Sequence, residues 1–533
     1  MISRRLALFA AVSTLALGCG QREEVWDAPS EGSSPQVFGM RSSAALVDAA
    51  GQRVIFVRAD DAEALSFAEV PSGHGLAASR PTLDGEKLVL LSAGDVPRRR
   101  ADDEGPSLQV VDSLSATPGV TRYELADPLS GLEIDPTGEY ALIFPGAGDT
   151  SFVQNPNELQ LVRLNEPPSS TNPIPTTLRS FGGRPEGFTF TKALSLPGGS
   201  RRLLVVRTDR DVALLDLSAP EKPEITVKLT AGADAPRPIG VAVTDGESDD
   251  ENDARIAVRL EQDANVILLD LLPTPSDKEA TSPHSFLPVP NIVDVGGVPS
   301  DVTFGRTDGG LRLLALVPSK AALVLVEPAT GVTTDVALGA SFDKMSIVTD
   351  IVGEAADGSD VALLWSTSSP DVAFVALGTT VGKPYKSVER LTLEQPVARV
   401  IDVPAPNDDL KVLASTDGRT FVVLNLVART ASPLLSSASN TEVMASRDGE
   451  RLWMYSPYST SLAVVGVESL HPQNLLLNYS VGKTIEIERK DGGRALLALA
   501  MEGSMAITLL DAQDPSVDLA TEYLGILLGD YRK

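Results

Sequence analysis

The chain has 533 residues, 43% hydrophobic, 22% charged and only 5% aromatic, with Lys+Arg 45 against Asp+Glu 72 and a formal charge of −27. That hydrophobic share supports a large buried core and excludes wholesale disorder, while the acidic balance argues against nucleic acid as a partner, because phosphate binding needs clustered cations. A single cysteine excludes an intramolecular disulfide framework, and three histidines argue against a His-rich metal site.

The N-terminus opens Met1-Ile2-Ser3-Arg4-Arg5, a positive n-region. An uncharged, mostly apolar run from Leu6 to Gly18 follows, too short to span a bilayer as a stable helix. The run ends Leu15-Ala16-Leu17-Gly18-Cys19, so the one cysteine of the chain stands directly after a small residue. This resembles the signal of bacterial lipoproteins, with Ala16 and Leu17 where that family usually has Leu and then a small residue. The resemblance implies that residues 1–18 are removed and that Cys19 is lipidated, carrying the acyl chains that stable anchoring needs. The bland alternative is a plain secretory signal with an incidental Cys19. Residues 19–36 read as a lipidated cysteine and flexible tether, Pro/Gly/Ser-rich up to Pro35. Gly20 rather than Asp follows the cysteine, so nothing argues for inner-membrane retention. The expected address is the bacterial cell envelope, outer membrane rather than inner, facing the periplasm or the exterior.

From residue 37 to 533 one pattern recurs. A polar turn with Asp or Gly precedes a short apolar strand, and a few small or polar residues lead to a second apolar strand that often ends in an acid. Pro136–Phe144 and Asp448–Met454 show the first half, and Arg202–Leu217 shows both. The second strands align on Phe67, Val111, Val162, Leu215, Leu269, Val326, Val375, Leu424, Val465 and Leu510, with a period of roughly 50 residues. No segment has the long 3.6 periodicity of a helix, so the chain is all-β. A unit of that length has room for four strands, which points to β-propeller blades; stacked β-sandwiches are the competing architecture. The expectation is a β-propeller of about 7–10 four-stranded blades. Ten anchors also fit two smaller propellers, divided at the Pro-rich runs Glu166–Pro175 or Thr274–Pro290. A strand near the mature N-terminus would pair with the last blade and close the ring.

Thr208–Leu217, Ser319–Gly331, Pro457–Glu468 and Glu502–Pro515 resemble the repeat of YVTN-type, lactonase-like propellers. Leu214-Leu215-Asp216, Leu268-Leu269-Asp270, Val110-Val111-Asp112 and Leu509-Leu510-Asp511 echo its strand ending. The Tyr-Val-Thr-Asn tetrad itself is absent. The resemblance implies the propeller fold and says little about activity.

Candidate chemistry is sparse. The oxygen-rich run Asp245, Glu247, Asp249, Asp250 and Asp253 suits Ca²⁺ in ligand type but lacks the EF-hand spacing, and the plainer reading is a solvated turn between two strands of one blade. Arg98-Arg99-Arg100 followed by Asp102-Asp103-Glu104 could grip a carboxylate or phosphate, the plainer reading being that the two signs satisfy each other on a loop. His74, His284 and His471 lie in turn-like contexts without a Gly-x-Ser-x-Gly elbow or a His-Glu-x-x-His helix. Trp26, Trp365 and Trp453 are too few for the Trp-bearing docking motifs of quinone-cofactor propellers, and the Gly-His and Trp-Asp pairs of WD40 repeats are missing. Gly198-Gly199, Gly309-Gly310 and Gly492-Gly493 read as turn glycines.

Three functions fit these observations. The first is an envelope-anchored binding or scaffolding module, whose loops meet an envelope protein, a glycan or a small ligand, with the membrane reached through the lipid. The second is a lactonase-like extracytoplasmic hydrolase with carboxylates and a metal at the central channel. The third is a purely structural envelope component.

Overall fold

Ten consecutive stretches of chain each fold into a four-stranded antiparallel sheet: residues 36–71, 76–124, 131–177, 185–227, 238–294, 301–337, 344–392, 397–435, 442–476 and 481–523. The structure is a computed structural model. It describes residues 35–526 except 62–63, 116, 147–151, 179–182, 230–235, 245–253, 277–281, 350–359, 380–383, 503–505 and 525. Residues 1–34, Cys19 among them, and the acidic run from Asp245 to Asp253 lie outside the described residues. Each sheet pairs its strands in sequence order, and among the described residues blade 4 alone carries an inserted hairpin, Leu194–Leu196 with Gly199–Arg201, between its first and second strands.

Burial follows position in the blade. In blade 4 the second and third strands, Leu203–Thr208 and Val212–Asp216, are almost wholly buried, the first strand Pro185–Phe190 is half-buried, and in blade 8 the fourth strand Thr430–Leu435 is largely exposed. Strands covered on both faces need continuous Val/Leu/Ile runs rather than alternation. Those runs are what the sequence repeat displays. Nine of the ten anchors fall on third strands; Phe67 falls on the fourth strand of blade 1, Leu65–Pro71. That strand is displaced by one because the third strand, Arg53–Ala59, is equally apolar and stands earlier.

First strands touch first strands of adjacent blades, as Gln36–Gly39 does Val481–Ile487 and Asp301–Thr307 does Lys344–Val348. They therefore line the hub. The apolar cores lie between blades rather than within them, and each joins sequence neighbours. One more joins the ends of the chain: Leu46, Ile55 and Val57 of blade 1 pack on Ile487, Leu496 and Leu509 of blade 10. That contact makes a single ten-bladed wheel rather than two smaller propellers. The Pro-rich runs near residues 166 and 274 divide nothing; they connect third to fourth strands within blades 3 and 5. Ring closure also departs from expectation. The first strand, Gln36–Gly39, pairs within its own blade with Ala44–Asp48, so among the described residues no strand is exchanged at the seam. Side-chain packing closes the ring, helped by the Lys490 N–H donating to the Ala59 carbonyl at 3.0 Å.

Antiparallel order fixes two faces. Links between blades and loops joining second to third strands form the front face; turns joining first to second strands and loops joining third to fourth form the back face. On the back face the turn tips are stitched to one another. The Arg447 guanidinium donates to the Met40 and Arg41 carbonyls at 3.0 Å each, the Arg447 N–H donates to Glu486 at 2.9 Å, and Arg41 pairs with Glu86 at 2.6 Å. Gly449 has φ +68° and a Cβ there would stand 2.1 Å from the Pro404 carbonyl oxygen, so only glycine allows that close approach.

Candidate functional site: the front end of the hub

In five blades the first strand slips register near its front end, between Leu76 and Ala78, Pro185 and Gly187, Pro238 and Gly240, Val397 and Arg399, and Val481 and Lys483. A bulge at a recurring place re-aims side chains at a rim. Here the bulges stand at the front mouth of the hub, and Glu186, Arg399 and Lys483 lie in or directly beside them.

Blades 4 and 5 do this with one device used twice. The sequences Arg184-Pro185-Glu186-Gly187 and Arg237-Pro238-Ile239-Gly240 start their first strands, and an arginine sits near the end of each second strand, Arg207 and Arg259. A Cβ on Gly187 would come within 2.9 Å of the Arg207 guanidinium, and one on Gly240 within 3.2 Å of Arg259 Nε. The glycines thus leave space for guanidinium groups lying over the inner strand. Each arginine then reaches the next blade: Arg207 Nη1 donates to the Pro238 carbonyl at 2.9 Å, and Arg259 Nη1 to the Pro299 carbonyl at 3.3 Å. In blade 8 the register position of those glycines carries its own cation, Arg399.

An arc of charge results. Arg237 and Arg207 both pair with Glu186, the latter at 3.0 Å. Burial pulls the Arg259 guanidinium below its ordinary pKa, Asp301 opposing this and Arg207 adding to it. Burial pushes the Asp301 carboxyl up, although the Met345 and Val302 N–H groups donate to it at 3.1 and 3.0 Å and Lys344 and Arg259 attract it. Further round, Arg399 pairs with Glu442. Cations outnumber carboxylates in this set, the reverse of the chain as a whole, where 45 basic residues face 72 acidic ones. The carboxylates are also engaged: Glu186 by two guanidinium groups, Asp301 by two backbone N–H groups, Glu442 by Arg399. Lys344 and Arg399 are exposed. These groups give this arc of the mouth a local excess of cations on an acidic chain, with Arg207 and Arg259 close enough to repel each other.

The residues singled out from the sequence are placed elsewhere. His74 lies on the front face of blade 2, with Nδ1 3.1 Å from both Asp95 oxygens and its N–H donating to Glu104 at 2.8 Å. Glu104 also pairs with Arg122. The Arg98–Glu104 run is not a set of paired opposite charges: Asp103 accepts the backbone N–H groups of Arg99 and Arg100, the latter at 2.7 Å, and fixes the turn. His284 is buried, with Nε2 2.8 Å from the Pro223 carbonyl, and His471 is exposed beside the Ser469 carbonyl. Trp453 is buried and donates its indole N–H to Glu486 at 3.2 Å. Gly198, Gly199, Gly310 and Gly492 have positive φ, as turn glycines do. Among the described residues no group of three His, Cys, Asp or Glu side chains stands together as a metal site, and no helix is long and apolar enough to cross a membrane.

Sequence reasoning missed the hub arc, because its members are spread over six blades. The doubled Arg-Pro-x-Gly, each copy followed by an arginine near the end of an apolar strand, was the signal that could have found it.

No family model matches the chain, and no curated protein matches it. Solved structures similar to it include dihydro-heme d1 dehydrogenase NirN in complex with DHE, at 15% identity over 70% of this chain and 71% of that one, TM-score 0.39. Apo AztD from Citrobacter koseri matches at 12% identity over 74% and 95%, TM-score 0.34, and the Dos1 propeller at 12% over 81% and 92%, TM-score 0.38. At such identities and scores the likeness concerns the fold and carries no argument about ligand or reaction.

Proposed function

We propose that the protein is a cell-envelope-anchored propeller lipoprotein acting as a binding and scaffolding module, which takes an anionic group of its partner at the front end of the hub. The observation that carries this reading is the excess of cations over carboxylates among the groups of the hub arc. Arg207, Arg259, Lys344 and Arg399 come from different blades, and the stacked blades hold them rigidly about one axis. Rigidity means that a partner does not have to order these side chains on binding, which lowers the cost of association. Cys19 supplies the anchor and residues 19–36 the reach from the bilayer.

The hydrolase reading needs carboxylates working on water or a metal. Glu186, Asp301 and Glu442 do come from three first strands, but each is held by guanidinium or backbone N–H groups, an arrangement that favours binding over general base chemistry.

Photo-crosslinking amino acids placed at 344 and 399, and at 476 on the rim as a control, test the proposal in cells. Adducts are expected from the hub positions and are expected to fade in the Arg259→Gln background. Adducts from the rim alone, or none, would leave a structural component as the better account. Membrane fractionation of Cys19→Ser, with globomycin treatment of the parent, tests the anchor: the variant should leave the membrane fraction, and its retention would refute lipid anchoring.

A further inference from the structure

Blades 1 and 10 meet along a seam closed by side-chain packing, and on the front face this seam opens into a cavity of about 180 Å³. Apolar side chains make part of its lining: Val37 and Leu46 of blade 1, Met501 and Ala506 of blade 10. Two charged groups also line it, Lys483 and Glu502, and both residues are exposed. Neither side chain has an ion pair or hydrogen bond among the described residues, and they are not paired with each other.

The backbone explains how opposite charges share a cavity without meeting. The first strand of blade 10 slips register between Val481 and Lys483, leaving Gly482 as the extra residue. A Cβ on Gly482 would stand 2.5 Å from Glu502 Oε2. Glycine therefore lets the carboxylate lie over the strand, and the ammonium group departs from the next residue. A cation and an anion thus border the same partly apolar cavity without pairing with each other.

We infer that this cavity binds a small zwitterion with an aliphatic body, chemically an aliphatic α-amino acid. Its carboxylate meets Lys483, its ammonium group meets Glu502, and its side chain packs on Val37, Leu46 and Met501. A cavity of about 150 Å³ takes a molecule the size of benzene, so one of about 180 Å³ has room for a leucine-sized side chain. A ligand here touches both end blades and binds the closed ring alone, so it stabilises the fold by mass action. The inference does not rest on the hub reading, because the cavity lies at the seam and the arc of charge on blades 4–9.

Calorimetric titration and thermal unfolding with L-leucine test it, with isovalerate and isobutylamine as comparators. L-leucine should bind one to one and raise the unfolding midpoint, and each comparator should bind at least tenfold more weakly. Lys483→Met and Glu502→Gln should each weaken L-leucine at least tenfold while unfolding like the parent without ligand, and Arg399→Gln should leave it unchanged. Absence of saturable heat from L-leucine at millimolar concentration would overturn the inference. Equal binding of isovalerate, or no loss in Glu502→Gln, would also overturn it, by showing a plain anion site.

Discussion

Replacing Ile487 by alanine probes the seam at its most buried point. The side chain is 0% exposed and sits among Leu46 and Val57 of blade 1 and Leu496 and Leu509 of its own blade. Ile to Ala removes three carbon groups, worth roughly 2.4 kcal/mol in transfer at about 0.8 kcal/mol each. The neighbours belong to two sheets whose backbones are fixed by their ladders, so they close the gap only partly, and the cavity brings the total to about 3–4 kcal/mol. Leu476→Ala is the control: that side chain is 72% exposed, and its loss should cost under about 0.5 kcal/mol. Urea unfolding gives the two costs, and hydrogen exchange shows where protection is lost. In Ile487→Ala, exchange should quicken in Val481–Ile487 and equally in Gln36–Gly39, at the opposite end of the sequence. Equal costs for the two variants, or faster exchange in blade 10 alone, would refute the reasoning that the end blades share one core.

Two further outcomes follow from local geometry. Gly449→Ala should cost about 1–3 kcal/mol, since it combines a positive φ with a Cβ driven onto the Pro404 carbonyl; an unchanged midpoint in thermal unfolding would count against the stitched back face. The front loop of blade 2 should loosen in acid. The Asp95 carboxyl is held below its ordinary range by the Glu104 N–H and then by His74, and that of Glu104 is held low by Arg122 and the His74 N–H although burial opposes it. Depressed folded values mean that this stabilisation is complete above the ordinary carboxylate range and disappears as pH falls through the folded values. Protection of the amides in residues 93–106, relative to their intrinsic exchange rates, should therefore fall below about pH 4, and less steeply in His74→Ala; protection independent of pH would contradict this account of the loop.

How much of this was legible in the sequence depended on what each residue is packed against. Second and third strands are covered on both faces, so Leu203–Val206 or Leu313–Val317 appear as unbroken apolar runs and reveal the repeat. First strands face the hub and fourth strands the solvent. Their mixed composition, as in Glu442–Ala445 or Pro472–Leu476, left two strands of each blade invisible and the blade count open between seven and ten. Ring closure was misjudged for a related reason: the pattern shows that Gln36–Gly39 is extended but not which sheet edge it joins. His74, His284 and the Arg98–Glu104 run drew attention because their residue types are rare or clustered locally. The hub arc is assembled from one or two residues per blade, and only the wheel brings Arg207, Arg259, Asp301 and Arg399 to one mouth.

Calorimetric titration of citrate at low ionic strength tests most directly whether the front end of the hub is an anion site on an acidic wheel. The account predicts saturable binding that weakens with added salt. Arg259→Gln and Arg399→Gln should each weaken it by about threefold to fivefold, and Asp301→Asn, which removes a buried negative charge from the arc, should tighten it. Absence of binding, or affinities indifferent to all three substitutions, would contradict the assignment.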